Sequence, residues 1–199
     1  GSHNLGISDY DRVTAPIISF DRNLSPSIPV VSSDNYAGGT LAAETLVKSG
    51  AKKIIMITGN DNSNSPTGLR HAGFASILPT APIINVSSDF SPIRKEMEIK
   101  NILKDKKPDA IFASDDLTAI LIMKVAQELG INIPEELKVI GYDGTYFVEN
   151  YYPQLATIQQ PLKDIACLLV DLLLRKIEGE KVPTTGYFLP VHLSSGKSI

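Results

Sequence analysis

The stretch Pro108-Asp109-Ala110-Ile111-Phe112-Ala113-Ser114-Asp115-Asp116 decides the fold. Its apolar run, 110–113, is continuous and lacks the alternation of a strand wetted on one side, so it reads as a strand covered on both faces. An aspartate pair then offers a helix cap, and the helical stretch that follows stops at Gly130. The same strand-then-helix unit recurs along the chain. Strands are predicted over 16–20, 29–33, 53–58, 83–86, 138–142 and 156–159. Asp34 can cap a helix of about residues 36–49 that Gly50 closes, while Ser65-Pro66 and Ser91-Pro92 each place a cap before a proline at the first helical position. Pro161 starts the longest helix, which ends at Gly179, and the polar cluster 60–65 is a loop. This alternation predicts an α/β protein built on a doubly wound parallel sheet.

Composition narrows the function. The 199 residues, 43% of them hydrophobic, suffice for one domain or two small lobes with a real core. With 19 Lys and Arg against 22 Asp and Glu, the net charge of −3 leaves no electrostatic footprint for nucleic acid, so these residues would not make a DNA contact themselves. The single cysteine, Cys167, excludes a disulfide framework, and its apolar neighbours at 165–170 predict a buried thiol. No run reaches the roughly 20 apolar residues of a membrane span, so a cytoplasmic protein is the default. On the long helix, Asp164, Asp171, Arg175 and Glu178 share one narrow stripe and nearly everything else is apolar. Such a helix is predicted to be covered on more than one side, wedged against the sheet and a neighbouring helix or used as a subunit interface.

Ligands of open α/β sheets bind beyond the carboxyl ends of the strands. Polar residues collect at those positions: Asp21 and Arg22 after 16–20, Asp115 and Asp116 after 110–113, Asp143 after 138–142, and Gln159-Gln160 after 156–158. Arg70, on the helix after the 60–65 loop, and Phe90, at a strand-to-helix turn, complete the set. Carboxylates and guanidinium groups hold hydroxyls through charge-assisted bonds, and an aromatic face covers an apolar ring face. The combination suits a sugar or another small polyhydroxylated or planar ligand. Taken singly, Asp115 and Asp143 read better as helix and turn caps, and Arg22 and Arg70 can equally form surface ion pairs. The recurrence of such residues at one kind of position is what points to a site.

Enzyme signatures are mostly missing. No strand is followed by Gly-x-Gly-x-x-Gly, and Gly196-Lys197-Ser198 lacks the earlier glycine of a phosphate loop, with Val191 in its place. His3, His71 and His192 are scattered outside any metal-ligand spacing. Asp115 and Asp116 have the chemistry to hold Mg²⁺, but with no phosphate-binding loop beside them a helix cap is the better reading. No cofactor is implied.

Several landmarks occur in a fixed order: Ser33-Asp34-Asn35-Tyr36-Ala37-Gly38-Gly39, Arg70-His71-Ala72-Gly73-Phe74, the 108–116 stretch, Ile133-Pro134-Glu135-Glu136-Leu137-Lys138-Val139-Ile140-Gly141-Tyr142-Asp143, and Pro153-Gln154-Leu155-Ala156-Thr157-Ile158-Gln159-Gln160-Pro161. In this order and spacing the chain resembles the effector-binding core of LacI-family transcriptional regulators, a periplasmic-binding-protein-like fold. The resemblance implies two α/β lobes joined by crossovers near 33–34, near 159–160 and between 179 and 183, with a small effector in the cleft. Residues 1–33 and 161–180 would form a partial first lobe, and 34–160 with 181–199 the second. The family's opening strand-helix-strand-helix and its DNA-reading helix-turn-helix have no counterpart here, so the first lobe is expected to be incomplete. Effector contacts carry over to Asp21 and Arg22, and to Arg70, Phe90, Asp115 and Asp143, with Gln160 at a crossover as a further candidate. In the family the position of Phe90 stacks on the ligand ring, the arginine holds polar groups and the aspartate of Gly-Tyr-Asp takes a hydroxyl or ring N–H. Gly196 stands where the family usually has arginine.

The resemblance therefore implies a non-catalytic sensor that belongs to a repressor of carbohydrate genes. It would work as a homodimer, take a sugar or sugar phosphate as effector, with a purine as another fit, and reach operator DNA through a domain outside this chain. An exported sugar-binding protein of a transport system shares this fold and ligand chemistry, and a metal-dependent α/β enzyme using Asp115 and Asp116 is the remaining reading.

Overall fold

The computed structural model describes residues 10, 13–59, 65–87 and 92–199. Among the described residues, strands β1 (Ser19–Phe20) to β9 (His192–Ser194) alternate with the helices α1 (Asn35–Lys48), α2 (Pro66–Ile77), α3 (Pro92–Lys106), α4 (Asp116–Glu128), α5 (Tyr146–Tyr151) and α6 (Leu162–Ile177). They divide into two compact units, one of residues 1–34 and 161–190, the other of 35–160 and 191–199.

The larger unit carries a six-stranded sheet in the order β4 (Ile83–Asn85), β3 (Ile54–Thr58), β5 (Ala110–Ala113), β6 (Lys138–Asp143), β7 (Ala156–Gln159), β9. All neighbours run parallel except β9, which pairs antiparallel to β7. Successive strand residues enter different cores. Ile55, Ile57, Ile111, Ala113 and Val139 join Ile99 and Leu103 of α3 and Ile122 and Val125 of α4. Met56, Phe112, Ile140, Tyr142 and Ile158 join Ala42 and Leu46 of α1 and Phe74 of α2. Period-two side-chain placement thus fills both faces, which is why the strands read as unbroken apolar runs. Full burial of each such side chain contributes roughly 1.5–3 kcal/mol.

Helix ends follow their sequence signals. The Ser65 hydroxyl accepts from Gly68 N ahead of Pro66, and the Asp115 carboxylate accepts from Thr118 N to open α4. Gly50, Gly130 and Gly179 all take positive φ just past a helix, where a side chain would be strained. Ser91, offered as the cap of α3, lies outside the described residues. At the C-terminus, Ser198 Oγ accepts from Ala156 N and donates to Val139 O, stitching the chain end to β6 and β7. Gly196 lies against the same backbone: a Cβ there would stand 2.4 Å from Ala156 N, so this conformation has no room for a side chain.

The smaller unit has a three-stranded parallel sheet, β1–β2 (Val30–Ser33)–β8 (Tyr187–Leu189). Three expectations need correction here. The first strand shrinks from 16–20 to Ser19–Phe20, because Pro16 and Pro29 cannot donate to a longer ladder. Residues 181–190 belong to this unit and not to the larger one, since Tyr187 and Leu189 pair with Val31 and Ser33, and the last passage between units falls at 190–191. The long helix is also wetter than its composition suggests. It packs on β2 through Ile165 and Leu172, while Val170, Leu174 and Ile177 are exposed and so is the Cys167 thiol that was expected inside. A three-stranded sheet covers only one strip of so wide an apolar face.

Candidate functional site

The C-terminal ends of β5, β6 and β7 and the start of α2 bring three of the expected residues together. Arg70 sits on the first half of α2, with 6% of its surface exposed. Its Nε donates to Asn35 Oδ1 at 2.8 Å and its Nη1 to the Ser114 carbonyl at 2.7 Å. The guanidinium carbon lies 3.7 Å from the centre of the Tyr142 ring, and Nη2 is 3.7 Å from Asp143 Oδ1. Gln160 Nε2 donates to that same carboxylate oxygen at 2.7 Å, and Gln160 N donates to Asp143 O. Arg70, Asp143 and Gln160 therefore form one connected polar cluster, in which the Asp143 carboxylate is half-buried.

Two glycines set this geometry. A Cβ on Gly39 of α1 would stand 2.1 Å from the Arg70 carbonyl, and one on Gly73 of α2 would stand 2.0 Å from the Tyr36 carbonyl. The helices touch backbone to backbone there, and the contact holds the turn that carries Arg70.

Asp115 lies one residue beyond Ser114, yet both of its oxygens are engaged locally, by Thr118 N and Thr118 Oγ1 at 2.8 Å each. Its neighbour Asp116 points the other way and is buried. Asp116 Oδ1 accepts from Thr157 Oγ1 at 2.6 Å and Oδ2 from Gly144 N at 2.8 Å. Burial pushes its carboxyl up to about 6, with the nearby Asp143 and Asp115 charges adding to the effect and the two hydrogen bonds opposing it. The two aspartates diverge, and among the described residues no group of three or more His, Cys, Asp or Glu side chains could hold a metal.

Asp21 and Arg22 belong to the smaller unit. Asp21, at φ 65°, follows β1 and accepts from Ser32 Oγ at 2.9 Å, while the side chain of Arg22 is exposed. Phe90 lies outside the described residues. Asn35 and Tyr142 were not among the expected site residues, and Asp116 was expected only as a helix cap or a metal ligand, although each is placed by a motif already read: the start of α1, Gly-Tyr-Asp and Asp-Asp. Only the tertiary contacts reveal that they hold Arg70 and the Asp143 turn. The grooves that indent the larger unit lie elsewhere, one between Met123, Ile131 and Tyr152 and others beside Lys53 and Pro108.

Polar groups thus cluster at the carboxyl ends of parallel strands, and residues 43–199 match the family model of the periplasmic binding protein-like domain. The chain belongs to that family. Within it the resemblance is to LacI-type regulators. The sucrose operon repressor of Streptococcus mutans is 64% identical over 198 residues, spanning 100% of this chain and 62% of that protein. The chain thus spans under two thirds of the curated relative's length. The crystal structure of a periplasmic binding protein/LacI transcriptional regulator from Alkaliphilus metalliredigens, complexed with D-xylulofuranose, is 30% identical with a TM-score of 0.85, covering 96% of this chain and 73% of that one. The lac repressor dimer bound to operator is 25% identical with a TM-score of 0.78, covering 98% of this chain and 70% of that one. The effector core of a LacI-type regulator is the architecture these likenesses share, and among the described residues no helix is long and apolar enough to cross a membrane.

Proposed function

We propose that this chain is the sugar-sensing part of a transcriptional repressor and that it binds its effector without transforming it. The observation that carries the reading is the cluster of Arg70, Asp143 and Gln160 at the strand ends. Arg70 is buried and turned toward Asn35 and Ser114, whereas the Asp143 carboxylate is partly exposed and is the acceptor offered to a ligand. A carboxylate accepts from vicinal hydroxyls and repels a phosphate at the same place. Within the expected class of sugars and sugar phosphates, that chemistry favours a neutral sugar. The sugar bound by the Alkaliphilus relative and the repressor name of the Streptococcus relative support the same class. Operator binding through a segment outside this chain, a homodimeric state and a cytoplasmic place complete the reading, in line with the lac repressor dimer on its operator. Effector and operator affinities would then be reciprocally coupled.

The test is calorimetric titration of the intact regulator with sucrose, fructose, ribose, their phosphates, and hypoxanthine, alongside operator-release assays. A neutral sugar should bind and change operator affinity, its phosphate should bind more weakly, and Asp143→Ala should weaken binding about tenfold or more. Binding of the purine alone, chemical turnover of a bound sugar, or an unchanged response in both Asp143→Ala and Arg70→Ala would overturn the assignment.

A further inference from the structure

We propose that Asp116 is a positioning residue for the effector site: anchored by Thr157, its carboxylate holds the Gly144 N–H and so fixes the turn from which Asp143 presents its own carboxylate. The inference deepens the reading above and rests on Asp143 being an effector ligand.

The turn needs such a hold. Asp143 has φ 122° and Gly144 φ 60°, so a residue bearing a side chain stands in the left-handed half of the map directly before a left-handed glycine. Backbone of this kind persists only where its surroundings over-determine it. Here the restraints come from several sides. Gly144 N donates to Asp116 Oδ2 at 2.8 Å, Gly144 O accepts from Gln159 Nε2 at 3.1 Å, and Asp143 O accepts from Gln160 N at 3.0 Å. The Gln159 and Gln160 bonds come from the strand next door and its extension; the Asp116 bond ties the turn to α4.

The fit around Asp116 is close. A Cβ on Gly141 would stand 2.3 Å from Asp116 Oδ1, so glycine in β6 is what lets the carboxylate pass behind the strand to reach both donors. Two donors, Thr157 O–H and Gly144 N–H, converge on its two oxygens. A carboxylate accepts from both at once and brings a charge to its bond with Gly144 N, which an amide would not.

The site gains a proton dependence from this arrangement. Burial holds the Asp116 carboxyl at about 6, so it changes charge close to neutrality. The charged groups around it are Asp115 on its own helix and Asp143 at the end of β6; Thr157 on β7 is neutral, and Arg70 on α2 pairs with Asp143. Protonation weakens the charge-assisted bond to Gly144 N and loosens the turn. Effector affinity should therefore be full above pH 7 and fall as the pH drops through about 6.

Two measurements on the intact regulator test this. First, without ligand, the ¹⁵N-glycine-labelled protein is titrated from pH 7.5 to 5 and the Gly144 amide is followed by NMR. Its shift should move with a midpoint near 6, lose that step in Asp116→Asn, and move to a higher midpoint in Thr157→Val, which removes a bond that keeps the carboxylate charged. Thr157→Ser should restore the original midpoint, a result that a merely space-filling role would not produce. Second, calorimetry with sucrose and fructose at pH 7.5 and 5.5 should show about two- to threefold weaker affinity at the lower pH, as expected when roughly three quarters of the carboxyl is protonated and its bond to Gly144 N drops from charge-assisted to neutral. A Gly144 amide indifferent to pH, or unmoved by both variants, overturns the proposal whatever binds. Sugar binding that is pH-independent and equally tight in Asp116→Asn overturns the link to affinity. If neither sugar binds at any pH while the Gly144 step behaves as described, the effector reading fails and the positioning of the turn stands.

Discussion

Arg70 illustrates how much one residue can carry here. Its guanidinium is buried, donates to a side-chain amide and a backbone carbonyl, stacks on Tyr142 and faces a carboxylate. Removing it takes a donor from Asn35 and from the Ser114 carbonyl and a positive charge from beside Asp143, although the partial exposure of Asp143 moderates the cost. Arg70→Ala should lose about 2–4 kcal/mol of stability, and Arg70→Lys about 1–2 kcal/mol because an ammonium cannot serve both acceptors in the planar geometry. Urea denaturation checks both, and an unchanged midpoint in Arg70→Ala would show that the network is ornamental. Residue types at this scale were legible: an arginine on a helix near the strand ends, an aspartate after Gly-Tyr. Their partners were not. Nothing local distinguishes Asp115, which caps its helix, from Asp116, which reaches across the sheet to Thr157.

Among the elements, the crossing of α1 and α2 matters most for the site. Gly39 and Gly73 let the two backbones meet, and Arg70 lies one turn before Gly73. Gly73→Ala would push against the Tyr36 carbonyl, and such overpacking costs about 1–3 kcal/mol. Because the same displacement would move Arg70, the substitution should lower sugar affinity along with the melting temperature; a stability loss with unaltered affinity would separate the crossing from the site. Most elements could be read from local signals because each signal is itself a physical device: a cap before α2 and α4, a left-handed glycine after α1, α4 and α6, an unbroken apolar run for each central strand. The long helix shows the limit. Periodicity says which face is apolar, and only the number of neighbouring strands decides how much of that face is covered.

At the scale of the molecule, the two units differ in the size of their cores. The smaller one buries Val31, Ile165 and Leu172, whereas both faces of the larger sheet are filled. Opening free energies track such differences, so in the 199-residue chain by itself the amides of Val31 and Leu172 should exchange hydrogen through openings several kcal/mol cheaper than those of Ile111 and Val139. Equal protection across both sets would mean that the units open together. The alternation of elements, the α/β class and the positions of the strand ends followed from the sequence alone, since hydrophobic period, caps and glycines act within a few residues of themselves. Which unit claims residues 187–189, which aspartate is buried, and how Arg70, Asp143 and Gln160 come to share a carboxylate depended on pairings across tens of residues. Those pairings are chosen by what the assembled sheets leave uncovered, and no local stretch of chain carries that information.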